Sequence, residues 1–241
     1  LPQPPRILRK SLLPGAREAQ GIAIVIDVYR AFTSAALMMH LGAKQIILLA
    51  EPEAVLKLKA EKGYLAVGEV DGKKVSGFDL GNSPSQILAA GRDLFVGRTV
   101  AQRTSAGVTG AVAASHQAEM VILGSYVTAK AIARYIQRLA PPVVSLVAMG
   151  AGGKAVRPED EACADYIEHL LTSRPYDHTA ALRQIVEHKS TQKFLRGDQA
   201  HFPQTDPIYC LQRDIFSFVI VATREDGGQS EQLVARQVDV L

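Results

Sequence analysis

The sequence predicts an α/β protein organised around a mostly parallel sheet, and three observations carry that prediction. Short runs of β-branched residues alternate with stretches of helical period, the signature of βαβ units. The apolar residues inside those runs are continuous rather than alternating, as in strands buried on both faces. The 241 residues are 47% hydrophobic and 21% charged, with 19 Gly and 12 Pro, which sits at globular averages and excludes a collagen-like or disordered chain. The length allows one large domain or two small ones. With no internal repeat and no linker rich in Pro, Gly or Ser, a single domain over 1–241 is expected, with 1–20 as an N-terminal segment and 175–241 as its least regular part.

Taken in order, residues 21–26 form the first unbroken apolar run and read as a strand, and 31–41 follow with apolar residues three and four apart. The same logic makes strands of 45–50 and 64–67 and a helix of 51–61 between them. Helix 84–90 is announced by Ser83 and Gln86, a capping box, with Pro84 at the first helical position. Strand 93–97, helix 106–115, strand 120–123, helix 126–139 and strand 143–148 continue the alternation. Helix 159–171 follows Pro158, opens on three acids that suit the macrodipole, and carries an apolar stripe including Ala162, Cys163, Tyr166 and Ile167. After Pro175 the pattern changes: 179–188 looks helical, the polar stretch to Pro207 has no clear period, and 216–223 reads as a late strand, antiparallel at an edge.

Several function classes are excluded early. Subtracting 24 acidic from 27 basic residues leaves +3, and Lys and Arg never form a run, so no nucleic-acid partner is expected. The longest apolar stretches, 21–26 and 143–153, fall short of the about 20 residues needed to span a bilayer, so no membrane partner is expected. Residues 1–20 hold Arg6, Arg9, Lys10 and Arg17 and lack the apolar core of a secretory signal. Cys163 and Cys210 make neither a disulfide framework nor a zinc spacing, and together these features predict a cytoplasmic protein. A homodimer is compatible with the sequence and not required by it.

In open parallel sheets ligands bind beyond the carboxyl ends of the strands. Those ends carry Asp27-Val28-Tyr29-Arg30, Gly68-Glu69, Arg103-Thr104-Ser105, Gly124-Ser125 and the segment from Gly150 to Glu161. Carboxylates there suit a hard cation such as Mg2+, while Arg30, the hydroxyls and helix N-terminal amides suit a phosphate. Each has a plainer reading: Asp27 can cap its helix, Glu69 can belong to an ordinary turn, and Glu159, Asp160 and Glu161 can serve the helix dipole. In Gly77-Phe78-Asp79-Leu80-Gly81-Asn82-Ser83-Pro84, capping accounts for Ser83 but leaves Asp79 and Asn82 as ligand candidates. Cys163 reads as a buried packing residue. Gly150-Ala151-Gly152-Gly153-Lys154 matches a relaxed dinucleotide fingerprint, yet Pro158 and the acids follow where a phosphate-binding helix is required. No Walker motif, G-x-S-x-G elbow or zinc-binding histidine pair is present.

The ordered set Asp27-x-x-Arg30-Ala31, Gly68-Glu69, Gly77 to Pro84, Gly124-Ser125 and Glu159-Asp160-x-x-Cys163-Ala164 resembles the 2-phosphosulfolactate phosphatase (ComB) family. The likeness spans about residues 21–170, with a fainter echo at Asp206 to Cys210 and at Asp214. It implies a three-layer α/β/α sandwich and Mg2+-dependent removal of phosphate from 2-phospho-3-sulfolactate, a step toward coenzyme M. By this likeness Asp27, Glu69, Asp79, Glu159 and Asp160 are candidate metal or water-activating groups, with Asp27, Arg30, Glu69 and Asp160 as the catalytic set. Arg30, Asn82, Ser83, Thr104, Ser105 and Ser125 are candidate substrate contacts. Arg103, Lys154 and Arg157 are further cations for the carboxylate and sulfonate of the substrate. Departures occur at Ser105 to Val108, where the family shows T-N-G-T, at Thr128, where Asn is usual, and at Val70; these bear on the organic part of the ligand.

The function expected is therefore hydrolysis of a small phosphorylated hydroxy acid by water, since Tyr29 occupies the place of the second Asp that phosphoenzyme chemistry at Asp27 normally uses. Two alternatives stay open: a non-catalytic anion-binding protein on the same fold, and a nucleotide-dependent enzyme using Gly150 to Gly153.

Overall fold

The computed structural model describes residues 4–224 and 232–240. The chain opens with β1 (Arg6–Ser11), α1 (Leu12–Arg17), β2 (Ile22–Ile26) and α2 (Ala31–His40). It continues through β3 (Gln45–Leu48), α3 (Pro52–Lys62), β4 (Leu65–Val70) and the two-residue β5 (Lys73–Lys74). Then come α4 (Pro84–Ala90), α5 (Arg92–Phe95), β6 (Thr99–Arg103), α6 (Gly107–Ala114) and β7 (Met120–Gly124). A 3-10 turn, Tyr126–Thr128, leads into α7 (Ala129–Leu139), followed by β8 (Val143–Ala148) and α8 (Pro158–Thr172). The last part holds α9 (His178–Glu187), α10 (Lys189–Leu195), α11 (Asp206–Cys210), β9 (Phe218–Arg224) and β10 (Leu233–Asp239). Among the described residues no helix is long and apolar enough to cross a membrane.

The ten strands among the described residues form one sheet in the order β1-β8-β2-β7-β9-β10-β3-β6-β4-β5. Five of its nine pairings are parallel, and four are antiparallel. Successive side chains of β2 point to opposite faces: Ala23 and Val25 join a core with Phe32 and Met38 of α2 and Val108 of α6, while Ile22, Ile24 and Ile26 join Ile132 of α7 and Ile167 of α8. On that second face Val55 of α3 packs against Ile47, Ala66 and Val234. The result is the three-layer α/β/α sandwich.

Three antiparallel steps in succession, β7 to β9 to β10 to β3, make β3, β6 and β4 run opposite to β2, β7 and β8. In a flat sheet the carboxyl ends of the two blocks would lie on opposite edges. Roughly 20–25° of twist per neighbour, over the five steps from β2 to β6, turns the strand axis by about 100–125° and brings those ends back toward one side. Gly107 N, just past β6, donates to Asp27 Oδ2, just past β2, at 2.9 Å, which records the meeting.

Three expectations are corrected. Residues 93–97 are not a strand: α5 occupies Arg92–Phe95 between Gly91 and Gly97, both at positive φ, and the strand is β6. Leu94-Phe95-Val96 is too short an apolar run to tell from a buried helical turn. β6 escaped notice because Gln102 is polar, yet Gln102 is fully buried and donates to Ala31 O at 3.2 Å and Asn82 Oδ1 at 3.4 Å. The late strand is antiparallel as expected, but β9 lies mid-sheet between β7 and β10 rather than at an edge. β10 was not anticipated, nor was β1, whose Arg9 and Lys10 give it the charged look of an edge strand.

Candidate functional site

The carboxyl ends of β2, β4, β6 and β8 surround a cavity of about 150 Å3. Of the residues singled out from the sequence, Asp27, Arg30, Glu69, Asn82, Ser105, Glu159 and Asp160 line it. With Asp71, which also lines it, five carboxylates from three separate parts of the chain thus face one small space.

Four of the five are held by donors beside them. Arg30, not Asp27, is the N-cap residue of α2; Asp27 Oδ1 accepts from Ala31 N at 3.2 Å from the preceding turn, while Oδ2 takes the Gly107 bond. Asp160 joins two strand exits: Oδ1 accepts from Val28 N and Oδ2 from Gly150 N, both at 2.8 Å. Glu159 Oε2 accepts from Ser190 Oγ at 2.8 Å. Glu69 accepts from Ser105 N at 2.7 Å through Oε1, and from Gly72 N at 2.5 Å through Oε2. The plain readings and the functional ones are therefore compatible, because a carboxylate oxygen that accepts one bond retains a lone pair.

Burial dominates the electrostatics. It pushes the Asp27 carboxyl up to about 7, with the charges of Glu69 and Glu159 adding to the rise and the Ala31 and Gly107 amides opposing it. Asp160 is raised well above the usual carboxylate range by burial, then by Asp27 and Glu159. Glu159 is raised by burial, against the Ser190 bond and the charges of Arg157 and Lys193. Massed acids that resist ionising are a place where a cation is welcome. Among the described residues no three His, Cys, Asp or Glu side chains form a ready-made cation cage.

Arg30 is a structural hub as well as a wall of the cavity. Its Nη1 donates to Asp206 Oδ2 and to His201 O, each at 3.0 Å, and Nη2 donates to Gly72 O at 3.1 Å. The planar fork keeps one Nη2 proton and the Nε proton for a ligand. Phe194 and Phe202 flank the guanidinium with ring centroids 5.5 and 5.3 Å away.

Four candidates lie outside the cavity lining. Asp79 binds Lys59 Nζ at 2.6 Å and Ala66 N at 2.9 Å, tying its loop to α3 and β4. Ser83 caps α4 and donates to Asp206 Oδ1 at 2.9 Å, so it stands behind Arg30. Thr104 Oγ1 accepts from Val108 N at 3.1 Å at the start of α6. Ser125 is buried, with no partner for its hydroxyl among the described residues. Of the extra cations only Arg157 reaches the cavity: Arg103 is bound to Ala50 O and Glu69 O, and Lys154 is exposed. The glycines at 150, 152 and 153 adopt positive φ in a loop closed by an Ala151–Ala155 bridge, and α8 begins only at Pro158.

Sequence reasoning missed Lys193 and Phe194 of α10, together with Ser190 and Phe202, all from the polar stretch that carries no clear period. The faint echo at Asp206 was the only signal pointing to that region.

Residues 7–225 match the family described as 2-phosphosulpholactate phosphatase. The chain belongs to this family. A 2-phosphosulpholactate phosphatase is a phosphoric monoester hydrolase, and a cavity pairing buried acids with cations accords with that chemistry. Similar curated proteins include a probable 2-phosphosulfolactate phosphatase of Bacillus subtilis, 32% identical, covering 86% of this chain and 88% of its own length. A protein of the same description from Deinococcus radiodurans is 33% identical over 68% of this chain and 67% of its own length. One from Thermus thermophilus is 38% identical over 61% of each chain.

Proposed function

We propose that this chain hydrolyses 2-phospho-3-sulfolactate to 3-sulfolactate and inorganic phosphate, with Mg2+ as its cofactor. The observation that carries the reading is the convergence of Asp27, Glu69, Glu159 and Asp160 on one cavity beside Arg30, in a chain of this family. The donor set fits a hard cation in kind: all are carboxylate oxygens, and their mutual repulsion is what a divalent charge relieves. Asp27, Glu159 and Asp160 are the residues that would hold it, with waters or phosphate oxygens filling the positions the protein does not supply. When bound, Mg2+ neutralises phosphoryl charge and polarises a water.

The protein groups divide the remaining tasks. Arg30 steadies a phosphoryl oxygen through its free Nη2 and Nε protons. Glu69, which lines the cavity and is left out of the metal-holding set, takes the proton of the attacking water. The new P–O bond forms to that water oxygen, the ester P–O bond breaks, and the departing alkoxide takes up the proton removed from the water to give the hydroxyl of 3-sulfolactate. The 194 and 202 rings limit bulk water on the Arg30 side.

The test is phosphate release from 2-phosphosulfolactate with and without Mg2+. Mg2+-dependent release is expected, with Asp27→Asn about 100-fold slower or worse and an unchanged near-UV circular dichroism spectrum. No release from this substrate, or release indifferent to chelator, would overturn the substrate or the cofactor respectively.

A further inference from the structure

We propose that Ser190, with His188 behind it, is a positioning residue for Glu159, through which the first turn of α10 sets how tightly the site holds its divalent cation. This deepens the phosphatase reading and rests on its Mg2+. Asp27, Glu69, Glu159 and Asp160 are held in two different ways. Asp27 takes the amides of Ala31 and Gly107, Asp160 those of Val28 and Gly150, and Glu69 those of Gly72 and Ser105. Those donors belong to the main chain. Apart from its own backbone N–H, the Glu159 carboxylate has one donor among the described residues, Ser190 Oγ at 2.8 Å to Oε2. A side chain 31 positions later, on another helix, therefore orients it.

The donor is itself fixed. Ser190 is 4% exposed, and its Oγ lies 2.8 Å from His188 Nδ1, the capping atom of α10, which accepts from Ser190 N at 3.1 Å. A ring nitrogen that accepts from an amide carries no proton, so the single hydroxyl proton of Ser190 is free to go to Glu159. An ionised carboxylate is the stronger acceptor and takes it. The next residue, Thr191, has its Oγ1 3.1 Å from Tyr29 Oη, and Phe194 lies over Arg30 with its ring centroid 5.5 Å from the guanidinium. Ser190 and Thr191 stand four and three positions before Phe194, so all three share one helix face and α10 meets the cavity wall as a unit.

Glutamate has one more side-chain torsion than aspartate, so an unpinned Glu159 would lose more freedom on ligating a cation than Asp27 or Asp160. The Ser190 bond removes that freedom beforehand. It also leaves at least two carboxylate lone pairs for a ligand in the cavity that Glu159 lines. Partners of this kind behind a metal ligand fix its orientation, and losing one lowers metal affinity by about 10–100-fold.

The test is calorimetric titration of the metal-free protein with Mg2+, which reads binding without turnover. Ser190→Ala should weaken Mg2+ binding by about 10–100-fold. Ser190→Cys, which fills the same space with a weaker donor, should give a smaller loss and serves if the alanine variant does not fold. Thr191→Val removes the neighbouring hydroxyl on the same turn and should stay within about twofold of wild type, because its partner Tyr29 is no metal ligand. Melting temperatures of the metal-free variants report any loosening of α10, which Ser190→Ala and Thr191→Val should share. Equal losses of Mg2+ affinity in these two would reduce Ser190 to seating the helix and overturn the proposal, as would unchanged affinity in Ser190→Ala and Ser190→Cys. Wild-type protein that binds no Mg2+ would overturn the cofactor and this proposal together. Failure to turn over 2-phosphosulfolactate would bear on the substrate alone and leave the binding comparison to decide.

Discussion

Asp206 receives four hydrogen bonds: from Arg30 Nη1 at 3.0 Å, Ser83 Oγ at 2.9 Å, Ser85 N at 3.0 Å and Ser85 Oγ at 2.6 Å. The Arg30–Asp206 pair is almost fully buried, with side chains 4% and 0% exposed, so neither charge can fall back on water. Removing one partner of such a pair strands the other. Asp206→Ala is expected to cost about 3–5 kcal/mol in urea unfolding. It should also lower kcat/KM at least about tenfold by releasing the Arg30 fork, since positioning errors near 1 Å are that expensive. Unchanged kinetics would show that Arg30 holds its place without this anchor. The partners are 176 positions apart, and no local pattern in the chain announces such a pairing. Asp27 and Asp160 were legible because a carboxylate at a strand end or in a first helical turn stands out against apolar surroundings.

At the scale of elements, the site depends on how closely α6 approaches α2. An added Cβ on Gly107 would meet Asp27 Oδ2 at 2.8 Å, Ala31 Cβ at 2.9 Å and Phe32 Cζ at 3.0 Å. Gly107 is therefore required by space. Gly107→Ala is expected to destabilise by about 1–3 kcal/mol and to depress turnover by displacing the Asp27 carboxylate. Thermal denaturation alongside a phosphate-release assay checks both, and wild-type values in each would refute the close approach. Most elements were legible: β2, β7 and β8 are buried on both faces and so read as unbroken apolar runs. β1, β6 and β10 were not, because Arg9 and Lys10 face ion partners, Gln102 is a buried polar residue whose Nε2 donates to Ala31 O, and Arg236 and Gln237 interrupt the apolar pattern of β10. For α10, too few apolar residues fall in one turn to define a period, though Phe194 is fully buried.

For the whole molecule, buried acids link stability to pH. Asp27 keeps its proton to about 7 in the folded state, against 3.8 for an ordinary Asp, and Glu159 and Asp160 shift the same way. From about pH 4 up to at least about 7 the unfolded chain has released protons that the folded chain retains, so the stability of metal-free protein falls as pH rises through that range. Melting temperatures of the metal-free protein should drop by about 5 °C or more from pH 5 to pH 7.5. Added Mg2+ should raise the melting temperature at pH 7.5 and do little at pH 5, because the ligands must be ionised to bind. A pH-independent melting temperature would contradict the burial of these charges, and indifference to Mg2+ at pH 7.5 would contradict the cofactor.

The sequence by itself determined the α/β class, most of the helices and strands, the family and the acids at strand ends, because burial and capping leave periodic and local marks on a chain. Tertiary structure alone decided that two oppositely running strand blocks bring their carboxyl ends together, that Asp79 serves a loop and not the cavity, and that Lys193, Arg157 and two phenylalanines complete the wall. Those outcomes follow from sheet twist and from contacts between segments far apart in sequence, which no window along the chain records.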